Sequence, residues 1–118
     1  MKKENRIKKN HEIASIVKLR KKVVNKSFVI YYTKSELDKS RFAFSVSKKY
    51  GHAFERNKAK RISRNLVRKY VNKYIGIDFV IVIKPNLKEM SYQDLEKEMD
   101  FLFSLINRNL MKEEKGVK

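Results

Sequence analysis

The sequence predicts a small single-domain α+β sandwich, helices packed on a mixed β-sheet, and three observations carry that prediction. Apolar residues recur at helical spacing in three separate stretches, near 10–20, 54–74 and 91–111. Between the first two lie segments dense in β-branched and aromatic residues, one of them alternating with a period of two. Between the last two, Ile77-Asp-Phe-Val-Ile-Val-Ile83 is almost unbroken apolar, the pattern of an interior strand covered on both faces. The chain has 118 residues, 42% of them hydrophobic and 11% aromatic, with three Gly and one Pro, which suits one domain (1–118) with one core.

Residues 1–9 are mostly Lys, Arg and polar groups and read as a flexible basic arm. Asn10 reads as an N-cap, followed by Ile13, Ile16, Val17 and Leu19 on a short amphipathic helix over about 10–20. Val23-Val24 suggests a short first strand, and Ser27–Thr33 and Arg41–Ser47 two longer ones. The polar loop between these two, Lys34–Ser40, predicts an antiparallel hairpin. Along the third strand Phe42, Phe44 and Val46 point one way and Ala43, Ser45 and Ser47 the other. The large residues make core, whereas the small ones leave space over the opposite face. Tyr31 shares its face with Val29 and Thr33, so a shallow groove forms if that face adjoins the small-residue face, with the first helix as its other wall.

From about Phe54 the period is helical again. Ala59, Ile62, Leu66 and Tyr70 form an apolar stripe, and Asn57, Arg61, Arg64 and Arg68 a polar stripe nearly opposite, to an end near Tyr74 or Gly76. Pro85 stops the strand over 77–83. Ser91 with Asp94 marks the start of the last helix, whose stripe of Leu95, Met99, Leu102, Phe103, Ile106 and Leu110 runs to about Met111, with a frayed tail over 112–118. The element order is therefore α-β-β-β-α-β-α.

A net charge of +17 on so short a chain implies a polyanionic partner, with nucleic acid ahead of an anionic membrane surface. The charge is also segregated. Residues 48–74 hold ten Lys and Arg against one acid, Glu55, while seven of the thirteen acids fall between Glu89 and Glu114. Solvated helix faces mix signs at i, i+4 spacing, and the acids that would do so are missing here. Arg offers a bidentate fork for phosphate, Lys a point charge, and Asn57 both a donor and an acceptor for a base edge or sugar hydroxyl. Some strand aromatics among Phe28, Tyr31, Tyr32, Phe42 and Phe44 could stack on bases, but at least half must serve the core. There is no cysteine, no Gly-rich phosphate loop, no paired histidine ligands and no nucleophile motif, so an independent active site is not expected. His52 is read as a turn or cap residue rather than an RNA contact. No apolar run is long enough to span a bilayer and MKKENRIKKN lacks a signal-peptide core, so the expected location is cytoplasmic.

Ser45–Arg64, "SVSKKYGHAFERNKAKRISR", closely resembles the signature of the bacterial ribonuclease P protein component, a strand ending S-V-S-K-K that leads through a Gly-containing turn into an R-N-R-x-K-R-x-x-R helix. The similarity extends to Lys9-Asn10, Asn25, Phe-Val-Ile-Tyr at 28–31, Lys84-Pro85 and Ser91-Tyr92, in order along nearly the whole chain. The resemblance implies a left-handed βαβ crossover, as in the fold of ribosomal protein S5 domain 2, where residue patterns alone favour the right-handed one. It implies an accessory subunit. The partners are a catalytic RNA, one protein to each, and precursor tRNA, whose 5′ leader that RNA removes with Mg²⁺ held mainly by RNA.

By motif position Lys48, Lys49, Arg56, Asn57, Lys58, Lys60, Arg61 and Arg64, with Arg68 beyond them on the polar stripe, would contact the catalytic RNA, and Mg²⁺ would be organised with RNA phosphates near Arg56 and Asn57. The groove holding the leader would be lined by Ile13, Val17, Tyr31, Ala43, Ser45 and Lys49. There are two departures from the family pattern. Lys58 stands where Arg is usual, keeping charge and losing the fork, and Ile13 and Val17 stand where aromatics are common. A general structured-RNA-binding, ribosome-associated protein is the alternative reading, and an autonomous nuclease the third.

Overall fold

A strand apolar on both faces needs neighbours on both edges and cover on both sides, and that requirement arranges the whole chain. The computed structural model describes residues 1–116. Its strands are β1 (Lys22–Val24), β2 (Phe28–Lys34), β3 (Arg41–Val46) and β4 (Ile77–Ile83), and its helices α1 (Asn10–Lys18), α2 (Ala53–Val67) and α3 (Tyr92–Gly116). The sheet order is β1-β2-β4-β3. β4 runs antiparallel to β2, from Phe28 opposite Ile83 to Lys34 opposite Ile77, and parallel to β3, with Phe42 opposite Phe79 and Ala43 opposite Val80.

The expected hairpin between the second and third strands is therefore not formed. β4 inserts between β2 and β3, because only there are both its edges hydrogen-bonded while Phe79, Val80 and Ile81 are fully buried. The 35–40 loop crosses the entrance of β4, where Ser35 N–H donates to the Gly76 carbonyl at 2.8 Å and Gly76 N–H to that of Lys39 at 3.1 Å. Gly76 has φ +73, and a Cβ there would lie 3.1 Å from the Ser35 carbonyl, so the crossing requires glycine.

The two sheet faces carry separate clusters. One face, Phe28, Ile30 and Tyr32 of β2, Phe79, Ile81 and Ile83 of β4, and Phe42 of β3, packs against Leu66 and Val67 of α2 and Leu95, Met99, Leu102, Phe103 and Ile106 of α3. Phe42 stacks on Phe79 with centroids 4.7 Å apart, and Tyr70 stacks on Phe103 at 4.0 Å. On the other face Ala43, Val80, Tyr31 and Val82 meet Ile13, Ile16 and Val17 of α1. The predicted alternation of β3 thus separates core from groove as expected.

Ends of elements shift for local reasons. Asn10 is the first residue of α1, not its N-cap, since Glu12 and Ile13 N–H groups already bond to the Lys9 carbonyl. The second helix stops being α-helical at Val67 and continues as a tighter turn over Arg68–Tyr70. Ser91 Oγ caps α3 by accepting the Asp94 N–H at 3.1 Å, as its sequence predicts. α3 extends past Met111 to Gly116, its last turns held by the Lys21–Glu113 ion pair and by Asn109 donating to the Tyr32 hydroxyl at 3.0 Å. The expected frayed tail is thus helical through Gly116, and residues 117–118 lie outside the described residues.

The segment read as a flexible arm is docked. Ile7 and Asn5 are buried, Asn5 Nδ2 donates to the Ser40 carbonyl at 2.7 Å, and Ile7 N–H donates to the Phe42 carbonyl at 3.0 Å. Arg6 pairs in parallel with Phe42, so the segment covers the free edge of β3. One apolar residue and one amide suffice to fix it against the repulsion of its charges.

Asp78 lies within the apolar strand, and its carboxylate is gripped by Arg41, Nε to Oδ1 at 3.0 Å and Nη2 to Oδ2 at 2.7 Å, while Nη2 also reaches Glu12 of α1 at 3.2 Å. The Asp78 hydrogen bond is the main reason the guanidinium is held charged well above its ordinary range, against the opposing effect of burial. Removing one partner of such a buried pair leaves an unsolvated charge. We expect Arg41→Ala to destabilise the domain by about 3–5 kcal/mol in urea unfolding; a loss below about 1 kcal/mol would mean that water reaches Asp78.

Candidate nucleic-acid interface

β3 delivers the chain into the interface. Past Val46 a tight turn, Lys48–Tyr50, leads to Gly51 and the start of α2. Tyr50 is buried, which leaves Lys48 and Lys49 exposed on the outside of the turn. Gly51 has φ +155 and ψ −160, a conformation reserved for glycine, and a Cβ there would fall 2.4 Å from Glu55 Oε1. That carboxylate accepts the His52 N–H at 2.8 Å, which, with Lys88, holds it below the usual carboxylate range. The closure is thus present at neutral pH and is lost as pH falls through the lowered Glu55 value. His52 sits at the helix-capping position, as its sequence context suggests.

The single acid of the basic stretch is thereby consumed by its own turn. Glu55 lies 3.7 Å from Lys88. The other ion pairs are Lys21–Glu113, Arg41 with Glu12 and Asp78, and Lys69–Asp100, all away from the signature residues. Among the described residues, none of Lys48, Lys49, Arg56, Lys58, Lys60, Arg61, Arg64 and Arg68 pairs with a carboxylate. A cation face without counter-ions of its own stores repulsion that a phosphate chain relieves.

These side chains divide by their angle around α2. Ala59, Ser63, Leu66 and Val67 are buried, and Asn57, Arg61 and Arg68 are exposed to solvent. Lys60 and Arg64 turn toward β3, lining a cavity of about 270 Å³ with Arg6, Ile7, Lys8, Phe42, Ala43 and Phe44. Arg64 lies over the Phe44 ring at 6.0 Å. Arg56 donates from Nη1 to the Gly51 carbonyl at 2.8 Å, and Arg68 from Nη2 to Asn65 at 3.0 Å, which orients both guanidinium groups and leaves further N–H donors. Lys58 is apart from the rest, on the α3 side of the helix.

Four of the six expected groove residues come together. Ile13 and Val17 of α1, Tyr31 of β2 and Ala43 of β3 share one cluster, with Tyr31 and Ala43 both in register with Val80. Ser45 is exposed two residues beyond Ala43, and Lys49 is exposed in the turn that follows β3. Arg6 and Lys8 line the cavity beside Lys60 and Arg64 rather than forming the free arm that the sequence suggests; the signal for this is Ile7, a lone apolar residue between cations. Among the described residues no helix is long and apolar enough to cross a membrane.

A cationic helix whose signature cations have no carboxylate partners among the described residues is the mark of a nucleic-acid-binding α+β domain. The sequence model of the Ribonuclease P family matches residues 1–107. A ribonuclease P protein component from Phytoplasma australiense is 41% identical over 109 residues, covering 91% of this chain and 95% of that one. The structure of the Staphylococcus aureus RNase P protein superposes with a TM-score of 0.79 at 30% identity, over 86% of this chain and 94% of that one. That of the Thermotoga maritima RNase P protein gives 0.70 at 27% identity, over 82% and 94%. The chain belongs to the ribonuclease P protein family, protein subunits of a ribonucleoprotein endoribonuclease that matures tRNA and whose catalysis is performed by its RNA.

Ribonuclease P is Mg²⁺-dependent, and Mg²⁺ takes oxygen ligands in octahedral geometry. Among the described residues no group of three or more His, Cys, Asp or Glu could hold an ion. Of the residues next to Arg56 in the chain, Asn57 and Glu55 carry side-chain oxygens, and both of the Glu55 oxygens are already engaged. The donor set does not form an Mg²⁺ site of the protein's own.

Arg61 is exposed and makes no internal contact that the fold requires. We expect Arg61→Ala to lower the slope of log affinity against log salt for RNA by about 0.7–0.9, one phosphate contact, with unchanged helical circular dichroism and Tm.

Proposed function

We propose that α2 and its flanking turns, through Lys48, Lys49, Arg56, Asn57, Lys58, Lys60, Arg61, Arg64 and Arg68, dock on the catalytic RNA of ribonuclease P, one protein per RNA, in the cytoplasm. The groove of Ile13, Val17, Tyr31, Ala43, Ser45 and Lys49 receives the single-stranded 5′ leader of precursor tRNA. The observation that supports this division is the lack of carboxylate partners along the face among the described residues, next to β3 positions where the small Ala43 and Ser45 leave room for a groove. Phosphates drawn to Arg56 and Asn57 would be the ligands of any nearby Mg²⁺, and the protein's part is to concentrate and orient those phosphates.

Contacts to the leader are made by precursor and lost by mature tRNA, so they favour substrate over product. With Ile13 and Val17 on the α1 wall, leader bases meet aliphatic side chains there, and Tyr31 is the aromatic ring of the groove cluster. Shape and backbone charge then matter more than stacking at that wall.

Cleavage of precursor tRNA by a matched catalytic RNA at low Mg²⁺ tests the reading. Added protein should raise both rate and precursor affinity, and no change in either would refute it. Ser45→Phe fills the groove from an exposed position. It should weaken precursor binding about tenfold, ~1.4 kcal/mol, while affinity for mature tRNA and for the catalytic RNA stays constant.

A further inference from the structure

On the flank of α2 away from the groove, a cavity of about 440 Å³ opens between the first turns of α2, the turn Pro85–Glu89 and the start of α3. Its volume is that of a small-molecule site. The floor is apolar, built from Ala59, Leu87 and Leu95, all buried. At its rim stand two aromatic rings that the core does not use, Phe54 at 71% exposure and Tyr92 at 45%. His52 stacks on Phe54 with centroids 5.9 Å apart and planes 9° from parallel, extending the platform.

The polar groups of the cavity are mostly spoken for. Lys88 is held by Glu55 and by the Tyr50 carbonyl, and lies 4.6 Å from the Tyr50 ring centroid. Glu55 Oε1 accepts the His52 N–H and Oε2 faces Lys88. Lys58 remains, the one lining cation without a carboxylate partner among the described residues.

We propose that this cavity takes an unpaired nucleobase of bound RNA, stacked on Phe54 and Tyr92, with the adjoining phosphate on Lys58. The proposal rests on the RNA-binding reading above. Charge complementarity selects this occupant: the cavity opens on the same helix as the cation face, in a chain of net charge +17, and an apolar peptide would leave Lys58 without a partner. Because both Glu55 oxygens are engaged, no carboxylate is free to read a base edge. Recognition is by ring face and is tolerant of sequence. The cavity also gives Lys58 a distinct task, a single phosphate beside a stacked base, for which a point charge suffices.

The test measures anisotropy of the full chain with two single-stranded ribo-oligomers of equal length and charge, one with bases and one abasic, across a salt series. The intact oligomer should bind about tenfold more tightly, ~1.4 kcal/mol. Phe54→Ala, Phe54→Leu and Tyr92→Ala should each remove most of that ratio without changing the salt slope, and Phe54→Ala should act equally in a Tyr31→Ala background. Phe54→Leu keeps apolar bulk and loses only the ring face, so its effect cannot be ascribed to unfolding. Equal binding of the two oligomers, or a ratio that survives the Phe54 and Tyr92 variants, would overturn the proposal. Weak, salt-insensitive binding of both oligomers would instead overturn the RNA-binding reading and this one with it.

Discussion

The interaction on which the rest of the structure depends is the double burial of β4. Its residues from Phe79 to Ile81 have no exposed side, so the strand must be flanked by β2 and β3 and covered above and below. Covering one face recruits α2 and α3, whose apolar stripes meet Phe79 and Ile81. Covering the other recruits α1, whose Ile13, Ile16 and Val17 meet Ala43 and Val80, while Ser45, two residues further along β3, stays exposed. The proposed groove lies on the part of that sheet face where the chain leaves the α1 cluster. Its shape is set by the same packing that makes the core.

The electrostatics follow from where that packing sends each charge. Glu12 of α1 and Asp78 of β4 are drawn to Arg41, and Asp100 and Glu113 of α3 to Lys69 and Lys21, so these acids are neutralised by cations outside the signature set. Glu55, the one acid inside the basic stretch, closes the turn that starts α2. What is left on α2 is a face of one sign. The turn at Gly51 sets how α2 leaves β3, and Arg64 of α2 lies back over Phe44 of that strand.

α2 serves several surfaces at once. Its buried stripe joins the core, Lys60 and Arg64 overlook the β3 edge, Arg61 and Arg68 face solvent, and Lys58 with Phe54 borders the cavity beside α3. A residue's contribution then depends on its angle around the helix as much as on its charge. Lys58, aligned by motif with the other signature cations, has different neighbours from them.

The element order, the stripes of α2 and α3, the alternation of β3 and the charge of the signature helix were legible in the sequence because each is a local periodicity. Residue spacing determines which side of a helix or strand a side chain takes, whatever the fold. Strand pairing was not legible: the loop 35–40 suits a hairpin by length and polarity, and only competition for the edges of β4 decides otherwise. The docking of residues 3–9 was hidden for a similar reason, since Ile7 and Asn5 find their partners at Phe42 and Ser40, far along the chain. Which cations stay without carboxylate partners is likewise a tertiary matter. Charge and periodicity are properties of the sequence itself; burial and pairing depend on what the fold brings within a few ångströms.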